Sequence, residues 1–472
     1  MEFDKDLQAR QEARQLLRKA EAAQQQLAQL PQEQLDAIVK AIADAIDSAA
    51  TELADMAVRE TGFGNVEDKV TKNRFASRTL WDAIRDMKTV GVLKESSKEK
   101  LWEIGVPVGV IAAIVPSTNP TSTVCYKAMI ALKAGNSIVF SPHPKAIACT
   151  LRAAKLAAAA AEKAGAPAGS IGCLSIPSMD GCRELMQGQE TRLILATGGP
   201  AMVRAAYSSG KPAIGVGAGN GPAYIHHSAD LAHALDCIRR SKTFDFGTVC
   251  ASEQSIIVEA SMEAQVRREG AQKGFYFMSK EEAGALARLL FKPNGTLNPQ
   301  IVGKSATVLA QMAGFSVPGS TCVLVAREQE AGPTRPYSME KLCPVLAFFV
   351  MDSEDAVLEK AVEVLTHEGS GHTFAIHARD EAVVRRFAAR IPVSRFLVNT
   401  PAALGGIGAT TALFPALTLG CGAVGGSSSS NNISPLDLIN IRRVAWGKDT
   451  PVANLQDDLV ELLTQKILQR LR

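Results

Sequence analysis

The sequence predicts an α/β fold built from two doubly wound domains. At 472 residues the chain exceeds what one hydrophobic core usually supports. From Val108 onward, short runs of β-forming residues alternate with helical segments, a pattern typical of parallel strands joined by crossover helices. The alternation resumes after a glycine-rich segment at residues 215–222. We therefore expect a second α/β domain from about Asn220.

The first predicted domain, residues 1–219, is a Rossmann-like cofactor domain. One long amphipathic helix is predicted between Pro31 and Gly62, because apolar residues recur there at helical spacing. Five candidate strands follow, linked by helices, as in a doubly wound nucleotide-binding sheet. The five strands are VGVIAAIV from Val108, SIVFS from Ser137, IGCLSI from Ile171, RLILA from Arg192 and PAIGVG from Pro212.

The second predicted domain, residues 220–434, is the catalytic one, and it contains a loop with Cys250. Its run GGSSSSNN, at residues 425–432, is predicted to form a flexible turn. Residues 91–106 are predicted to form a projecting oligomerisation hairpin, and residues 435–447 a return strand. An amphipathic helix is predicted for residues 448–472, either packed on the protein or docking on a partner. Its apolar face consists of Leu455, Leu459, Leu462, Ile467 and Leu471.

The composition argues against several classes of function. The formal charge of +3 lacks the electrostatic footprint of a nucleic-acid binder. The longest apolar run is interrupted by Pro107, so no membrane span is predicted. Nine cysteines without a Cys-x-x-Cys pair indicate neither a disulfide framework nor a zinc site, and no metal site is predicted. The amino terminus lacks the apolar core of a secretory signal, so we expect a cytoplasmic protein.

Cys250 is the first candidate for chemistry. It lies in FDFGTVCASEQ, between a helical and a β run, where glycine and small residues leave the side chain accessible. A free thiol has a pKa of about 8.5, so a nucleophilic cysteine needs local stabilisation of its thiolate. On chemistry alone, any one of the nine cysteines is more often an ordinary buried thiol.

Several motifs resemble one branch of a known enzyme family. The segment SKTFDFGTVCASEQSIIVE resembles the catalytic-cysteine segment of the aldehyde dehydrogenase superfamily, specifically of its coenzyme A-acylating branch. That branch includes microcompartment propionaldehyde and acetaldehyde dehydrogenases and the aldehyde dehydrogenase half of bifunctional aldehyde/alcohol dehydrogenase. Several long matches in one order are more specific than one short motif. Further matching segments are ETGFGNVEDKVTKN, GVPVGVIAAIVPSTNP, SIVFSPHP, ATGGPAMVRAAYSSGKPAIGVGAGNGP, LNPQIVGKSA, HEGSGHTFAIH and LTLGCGAVGGSSSSNN.

The resemblance implies an aldehyde dehydrogenase-like fold and a set of catalytic residues. Cys250 would be the nucleophile, and the Asn119 amide would help the Cys250 backbone N–H to hold an oxyanion. His372, in a segment characteristic of the acylating branch, would orient or deprotonate the thiol of coenzyme A; a structural role for it is equally expected. Glu340 matches a glutamate that binds the ribose on the nicotinamide side.

The resemblance also implies a nicotinamide dinucleotide site, for which we favour NAD over NADP. Ser141 stands where many aldehyde dehydrogenases have a lysine that contacts the adenosine ribose, so adenosine contacts do not transfer directly. GVGAGNGP lacks the GxGxxG fingerprint. Together with Glu340, the residues expected to bind the cofactor are Pro116, Ser141, Pro142, His143, Thr197, Gly198, Gly199, Val203, Val216 and Gly217.

Position 216 favours coenzyme A over water as the acyl acceptor. Hydrolytic relatives carry a water-activating glutamate there, whereas this chain has Val216. Losing a general base costs about 10²–10⁴-fold in rate, so a thiol becomes the more plausible second nucleophile. The expected reaction is reversible oxidation of a short-chain aldehyde of the acetaldehyde or propionaldehyde class, with NAD and coenzyme A.

Three alternatives remain open from the sequence. They are an acylating succinate-semialdehyde dehydrogenase, a hydrolytic aldehyde dehydrogenase and a non-catalytic scaffold that has kept the fold. We expect a homodimer or homotetramer. The terminal helix also raises the hypothesis of binding to a shell protein and location in a bacterial microcompartment lumen.

Overall fold

The computed structural model describes residues 4–447 and 452–471. The predicted α/β class is confirmed, with strands gathered in three sheets. The strands are β1 Gly91–Ser96, β2 Leu101–Pro107, β3 Val110–Ile114, β4 Ser137–Ser141, β5 Ile171–Cys173, β6 Thr191–Thr197, β7 Ala213–Val216, β8 Gly221–Ile225, β9 Glu253–Glu259, β10 Phe275–Phe277, β11 Val323–Arg327, β12 Val345–Met351, β13 Gly371–His377, β14 Val393–Val398 and β15 Ile439–Ala445.

Helices cover the sheets, and short 3₁₀ turns join several elements. The helices are α1 Lys5–Leu27, α2 Gln32–Ser48, α3 Ala50–Thr61, α4 Val66–Arg74, α5 Leu80–Ile84, α6 Pro120–Lys133, α7 Ile147–Lys163, α8 Met179–Gln187, α9 Pro200–Tyr207, α10 Leu231–Thr243, α11 Ala260–Gln272, α12 Lys280–Leu290, α13 Ala306–Met312, α14 Glu354–His367, α15 Glu381–Ala388, α16 Ala402–Gly406 and α17 Val452–Arg470.

The prediction of one continuous helix between Pro31 and Gly62 is wrong. The chain leaves helical geometry at Ala49, so the segment forms two helices, α2 and α3. The apolar periodicity continues through the break because both helices bury their apolar residues in the same part of the core. Gly62 ends α3 in the left-handed conformation, as a C-terminal glycine commonly does.

The five strands predicted for the first sheet are all present. They form a parallel sheet in the order β5-β4-β3-β6-β7. Strands β3 and β4 are buried at every residue, since helices cover both faces, and such strands are continuous apolar runs rather than alternating ones. The strand order reverses between β3 and β6, and the carboxyl ends at such a switch point open a crevice for a ligand.

The second large sheet is parallel and has the order β10-β11-β12-β9-β8-β13-β14. Three of its inner strands, β9, β8 and β13, are almost completely buried. Cys250 lies on the loop just before β9, and His372 is the second residue of β13. The amino ends of these inner strands therefore carry both residues.

A small antiparallel sheet in the order β1-β2-β15 stands apart from the two parallel ones. The predicted hairpin is formed by β1 and β2, and β15 returns from the end of the chain to pair with β2. Most residues of β1 and β15 are exposed. Strand β15 is an edge of this sheet, and among the described residues no other strand pairs with its outer side.

The segment at residues 425–432 is not the flexible turn that its composition predicts. The Ser427 and Ser428 hydroxyls donate to the carbonyls of Gly215 and Ala213, at 3.0 and 2.6 Å. The Asn432 amide donates to the Gly406 carbonyl at 2.9 Å. The small polar residues thus pack this segment against β7 through side-chain hydrogen bonds, which composition alone does not reveal.

The last helix, α17, covers most of the predicted amphipathic segment, while residues 448–451 and 472 of that segment lie outside the described residues. Its described side chains, from Leu459 to Leu471, are all exposed, including the apolar ones. In the part of the chain that the structure describes, no helix combines the length and the apolar character needed to span a membrane.

Candidate active site

Most of the predicted site residues meet in one cavity of about 230 Å³. The cavity lies where the carboxyl ends of β3 and β6 face the loop before β9. The predicted residues that line it are Pro116, Asn119, His143, Thr197, Gly198, Gly199, Val216, Gly217, Cys250 and Glu340.

Two further cavities receive most of the remaining predicted residues. One, of about 410 Å³, shares Thr197, Gly198 and Gly199 with the first cavity and adds Ser141 and Pro142. The other, of about 460 Å³, contains Val203 together with Gly217. His372 lines none of these three cavities. The cofactor and nucleophile residues predicted from sequence are therefore mostly neighbours in space. His372 lies outside these cavities, buried beside the loop that carries Cys250.

The glycine-rich connection after β7 brings the backbone close to Cys250. A β-carbon at Gly219 would lie 1.9 Å from the Cys250 carbonyl oxygen and 3.2 Å from His372 Cε1. Only glycine allows this approach. This glycine is thus explained by packing against the cysteine loop, not by a dinucleotide fingerprint.

The Cys250 thiol is held in its neutral form by its surroundings. Burial, with a smaller contribution from the nearby Glu340 carboxyl, raises the pKa of Cys250 to about 12, against the opposing effect of the buried Arg395 guanidinium. The sulfur is therefore a thiol at neutral pH in the ligand-free protein. A thiolate requires an additional positive charge or hydrogen-bond donor at the site.

Asn119 lies at the amino end of α6, just before Pro120, and its side chain does not cap the helix. Its Oδ1 accepts a hydrogen bond from Lys72 Nζ at 2.6 Å. Its Nδ2 donates to Thr118 Oγ1 at 3.1 Å and, at 3.4 Å, to the carbonyl of Thr248, two residues before Cys250. One of the amide N–H groups is therefore directed toward the loop that carries Cys250.

A buried ion cluster next to Asn119 was not anticipated from the sequence. Lys69 and Lys72 on α4 place both ammonium groups on Asp245 Oδ2, at 2.8 and 2.6 Å, with all three side chains at most 3% exposed. Burial alone raises the pKa of Asp245, but the two lysines outweigh it and hold the pKa below its usual value. Burial lowers the pKa of Lys72 to about 8 despite the attraction of Asp245.

The same carboxylate stabilises an unusual backbone before the cysteine. Asp245 and Phe246 have φ values of 49° and 50°, a left-handed conformation that costs non-glycine residues about 1–3 kcal/mol each. Asp245 Oδ1 accepts the Asn65 N–H at 2.9 Å, and the Asp245 N–H donates to Asp68 Oδ2 at 2.7 Å. The start of α4 therefore fixes the cysteine loop through two further polar contacts with Asp245, in addition to the two lysines.

Glu340 is a buried carboxyl that accepts the Gly219 N–H at 2.8 Å. Burial, with a smaller contribution from the neighbouring Glu368 carboxylate, raises the pKa of Glu340 to about 8. Glu340 is consequently protonated at neutral pH.

His372 is fully buried beside the cysteine loop. Its Nδ1 pairs with Thr373 Oγ1 at 2.9 Å, and its Nε2 has no hydrogen-bond partner among the described residues. Burial lowers the pKa of His372 to about 3, with a smaller contribution from Arg395. The imidazole is therefore neutral and, in this conformation, a weak base.

The loop between β6 and α9 has the features of an anion cradle. Gly199 precedes α9, Pro200 occupies its first turn, and no side chain caps the helix. The helix N–H groups are thus available to a phosphate. Space is also available, because a β-carbon at Gly199 or Gly217 would meet no atom within 4 Å. The loop therefore offers backbone donors and open space to a phosphate group.

Residues 5–274 match the sequence model of the aldehyde dehydrogenase family. The chain belongs to the aldehyde dehydrogenase family. It is 47% identical over 396 residues to the bifunctional aldehyde-alcohol dehydrogenase of Escherichia coli strain K12. That match covers 83% of this chain and 44% of the relative, so the chain spans less than half the length of that protein.

Solved aldehyde dehydrogenase structures share the whole fold. An acetylating aldehyde dehydrogenase from Geobacillus thermoglucosidasius superposes with a TM-score of 0.93 at 49% identity, covering 95% of this chain and 99% of the other. The propionaldehyde dehydrogenase of Rhodopseudomonas palustris with bound propionyl-CoA gives a TM-score of 0.83 at 29% identity, covering 92% and 94%. The aldehyde dehydrogenase-like fold and the resemblance to the acylating branch are confirmed.

The sequence contains one signal for the buried cluster of Lys69, Lys72 and Asp245. The motif ETGFGNVEDKVTKN resembles the family, but the sequence alone indicates no role for its two lysines. A lysine pair three residues apart on a short helix ordinarily lies on a solvated face. Only the fold of this aldehyde dehydrogenase reveals that Lys69 and Lys72 meet an aspartate five residues before the cysteine.

The raised pKa of Cys250 predicts the pH dependence of its alkylation. In the cofactor-free protein, the rate of iodoacetamide modification of Cys250 should rise by about tenfold per pH unit from about pH 7 to about pH 9, because only the thiolate reacts. Peptide mapping by mass spectrometry separates Cys250 from the other cysteines. A plateau in the Cys250 rate below about pH 8 would contradict the stated environment.

Proposed function

We propose that this chain is a coenzyme A-acylating aldehyde dehydrogenase, which reversibly converts a short-chain aldehyde to acyl-coenzyme A with a nicotinamide cofactor. The observation that carries the proposal is the arrangement of one cavity. Cys250 and the amide of Asn119 face a space in which Val216 stands instead of a water-activating glutamate. The names of the acetylating relative from Geobacillus thermoglucosidasius and of the propionyl-CoA-bound relative agree with it.

In the proposed reaction, the Cys250 thiol gives up its proton, its sulfur attacks the aldehyde carbon and the carbonyl oxygen becomes an oxyanion. Loss of hydride from that carbon leaves a thioester on Cys250. Attack by the coenzyme A thiolate then breaks the bond to Cys250 and releases acyl-coenzyme A and the Cys250 thiolate. Asn119 Nδ2 and the Cys250 backbone N–H are the donors for that oxygen. Removing one such donor commonly costs about 10²–10³-fold in rate. The cavity holds these donors on two rigid elements, the start of α6 and the loop before β9, so little reorganisation is needed.

The residues that would hold the cofactor are the β6–α9 loop for phosphate and Glu340 for the ribose nearest the chemistry. A bound nicotinamide supplies the hydride acceptor. We favour NAD. Ser141 and Pro142, in the second cavity, are the proposed neighbours of the adenosine half.

Thiolysis is favoured over hydrolysis because the cavity lacks an ionised carboxylate. Glu340 is the one carboxyl among its lining residues, and with a pKa of about 8 it is protonated at neutral pH. A protonated carboxyl does not accept a proton from water. The thioester on Cys250 is therefore expected to persist until coenzyme A attacks it.

The charge of the cavity favours uncharged aldehydes over succinate semialdehyde. No arginine is among its lining residues. Lys72 does line it, but its ammonium pairs with Asp245 and is not free for a substrate carboxylate. We therefore propose acetaldehyde or propionaldehyde as the substrate class.

His372 is proposed to position the cysteine loop for acyl transfer. Its neutral imidazole lies against the Gly219–Cys250 contact, and its unpartnered Nε2 is available when a ligand enters. A pKa of about 3 disfavours a role as the base for coenzyme A.

The exposed edge of β15 supports a proposed homodimer or homotetramer, in which a second copy extends the three-stranded sheet.

The exposed apolar residues of α17 support a second proposal: cytoplasmic synthesis followed by binding of this helix to a microcompartment shell protein. They include Leu459, Leu462, Leu463, Ile467 and Leu468.

A product assay tests the proposed function. With aldehyde and NAD, the protein should form acyl-coenzyme A when coenzyme A is present and form free acid at least about tenfold more slowly when it is absent, because no base activates water. Chromatography of acyl-coenzyme A and acid measures both products. Equal rates of acid formation with and without coenzyme A would establish the hydrolytic alternative.

Two variants assign the residues in that assay. Cys250→Ala should form neither product above background, while a Cys322→Ala control, remote from the cavity, should keep full activity. A Cys250→Ala protein that still forms thioester at the native rate would remove Cys250 from the mechanism. Full acyl-transfer activity in His372→Ala would likewise remove His372.

Deleting residues 455–472 separates targeting from assembly. The shortened protein should keep its aldehyde activity and its mass in light scattering, two or four times that of one chain, but lose co-purification with shell proteins, because α17 makes the proposed contact. Unchanged co-purification would refute the targeting role. Loss of the oligomer would assign the helix to subunit packing instead.

A further inference from the structure

All three N–H donors of the Lys72 ammonium have hydrogen-bond partners within the protein. An ammonium group has three N–H donors. Lys72 Nζ lies 2.6 Å from Asn119 Oδ1, 2.6 Å from Asp245 Oδ2 and 3.0 Å from Thr248 Oγ1. Thr248 in turn donates its hydroxyl to Asp245 at 2.7 Å. The side chain is 2% exposed, so it has one well-defined orientation.

This arrangement selects one of the two orientations of the Asn119 amide. Rotating the amide by half a turn would replace Oδ1 with an NH₂ group and press two donors together against Lys72. The cation therefore keeps Oδ1 on its own side, and Nδ2 remains beside Thr248, on the wall of the cavity that carries Cys250. A positive charge on the oxygen also polarises the amide and strengthens its N–H groups as donors.

We propose that Lys72 is a positioning residue for the chemistry at Cys250, acting by orienting and polarising the Asn119 amide as an oxyanion donor. This inference rests on the proposed function, in which Asn119 holds the oxyanion. Lys72 lines the cavity, and its ammonium is proposed to act on the reaction through its hydrogen bond to Asn119. Both acylation and deacylation of Cys250 pass through an oxyanion, so both steps depend on it.

The competing explanation is that Lys72 only neutralises Asp245. The chain offers a matched control, because Lys69 is equally buried and binds the same oxygen of Asp245 at 2.8 Å. Its second partner is the Thr118 carbonyl at 2.9 Å, not the Asn119 amide. A purely structural role would make the two lysines equivalent, whereas the proposed role makes them different.

A double-mutant cycle on the full-length protein tests the inference. The variants are Lys72→Met, Asn119→Ala, the double variant, and Lys69→Met as control; Met keeps the length of the side chain and removes its donors. Single-turnover acylation by acetyl-coenzyme A and steady-state kcat/KM for the aldehyde give the rates, and circular dichroism gives the unfolding midpoints.

Lys72→Met should lower the acylation rate by about tenfold or more when Asn119 is present, but by less than about twofold when position 119 is alanine, because coupled residues are not additive. The KM for coenzyme A should change little. Lys69→Met should lower the unfolding midpoint by a similar amount, but it should slow acylation at least about threefold less than Lys72→Met, because its ammonium contacts the Thr118 carbonyl and not the Asn119 amide.

Each other outcome has a definite meaning. If Asn119→Ala reacts at the native rate, the proposed oxyanion role fails. If Asn119→Ala is slow but Lys72→Met lowers the rate equally in both backgrounds, or Lys69→Met is as slow as Lys72→Met, the inference for Lys72 is overturned while the proposed function stands. If Lys72→Met does not fold, Lys72→Arg, which keeps the charge beside Asp245, enters the same cycle with the same criterion.

Discussion

The arrangement of the active site depends on one buried carboxylate shared by two buried ammonium groups. Asp245 ties helix α4 to the loop before β9 and holds that loop in a left-handed backbone conformation. Removing one partner from a buried ion pair leaves an uncompensated charge, which costs far more than breaking a surface pair. The position of Cys250 thus rests on Lys72 and Lys69 of helix α4, which lie 173 and 176 positions before Asp245 in the sequence.

The two parallel sheets contribute different halves of the site. The carboxyl ends of β3 and β6 supply the turns that carry Asn119 and the proposed phosphate cradle, as expected at a switch point of a doubly wound sheet. The amino ends of β8, β9 and β13 supply the Gly219 connection, Cys250 and His372. Burial between these ends raises the pKa values of Cys250 and Glu340, so both groups are protonated at neutral pH. A cavity whose one lining carboxyl is protonated suits the proposed thioester intermediate better than hydrolysis.

Sequence reasoning succeeded where the physics is local. The five strands of the first sheet were predictable because buried parallel strands are continuous apolar runs. Cys250 and Asn119 stood within long family motifs, and both line one cavity, while their catalytic roles stay proposals. The sequence did not predict features that depend on contacts between residues far apart in the chain. Lys69 and Lys72 have the character of solvated residues until Asp245 is brought to them, and residues 425–432 have the composition of a free turn until β7 accepts their hydroxyls. The burial of His372, which makes it a weak base, also arises only from tertiary packing.

The central claim is that a cavity without an ionised carboxylate among its lining residues lets one cysteine carry an acyl group until another thiol removes it. The most direct measurement is the mass of the intact protein after mixing with acetyl-coenzyme A in the absence of nicotinamide, followed by peptide mapping. The account predicts one added acetyl group per chain, located on Cys250 and discharged by added coenzyme A. An unmodified protein, or an acetyl group on another residue with Cys250 free, would contradict it.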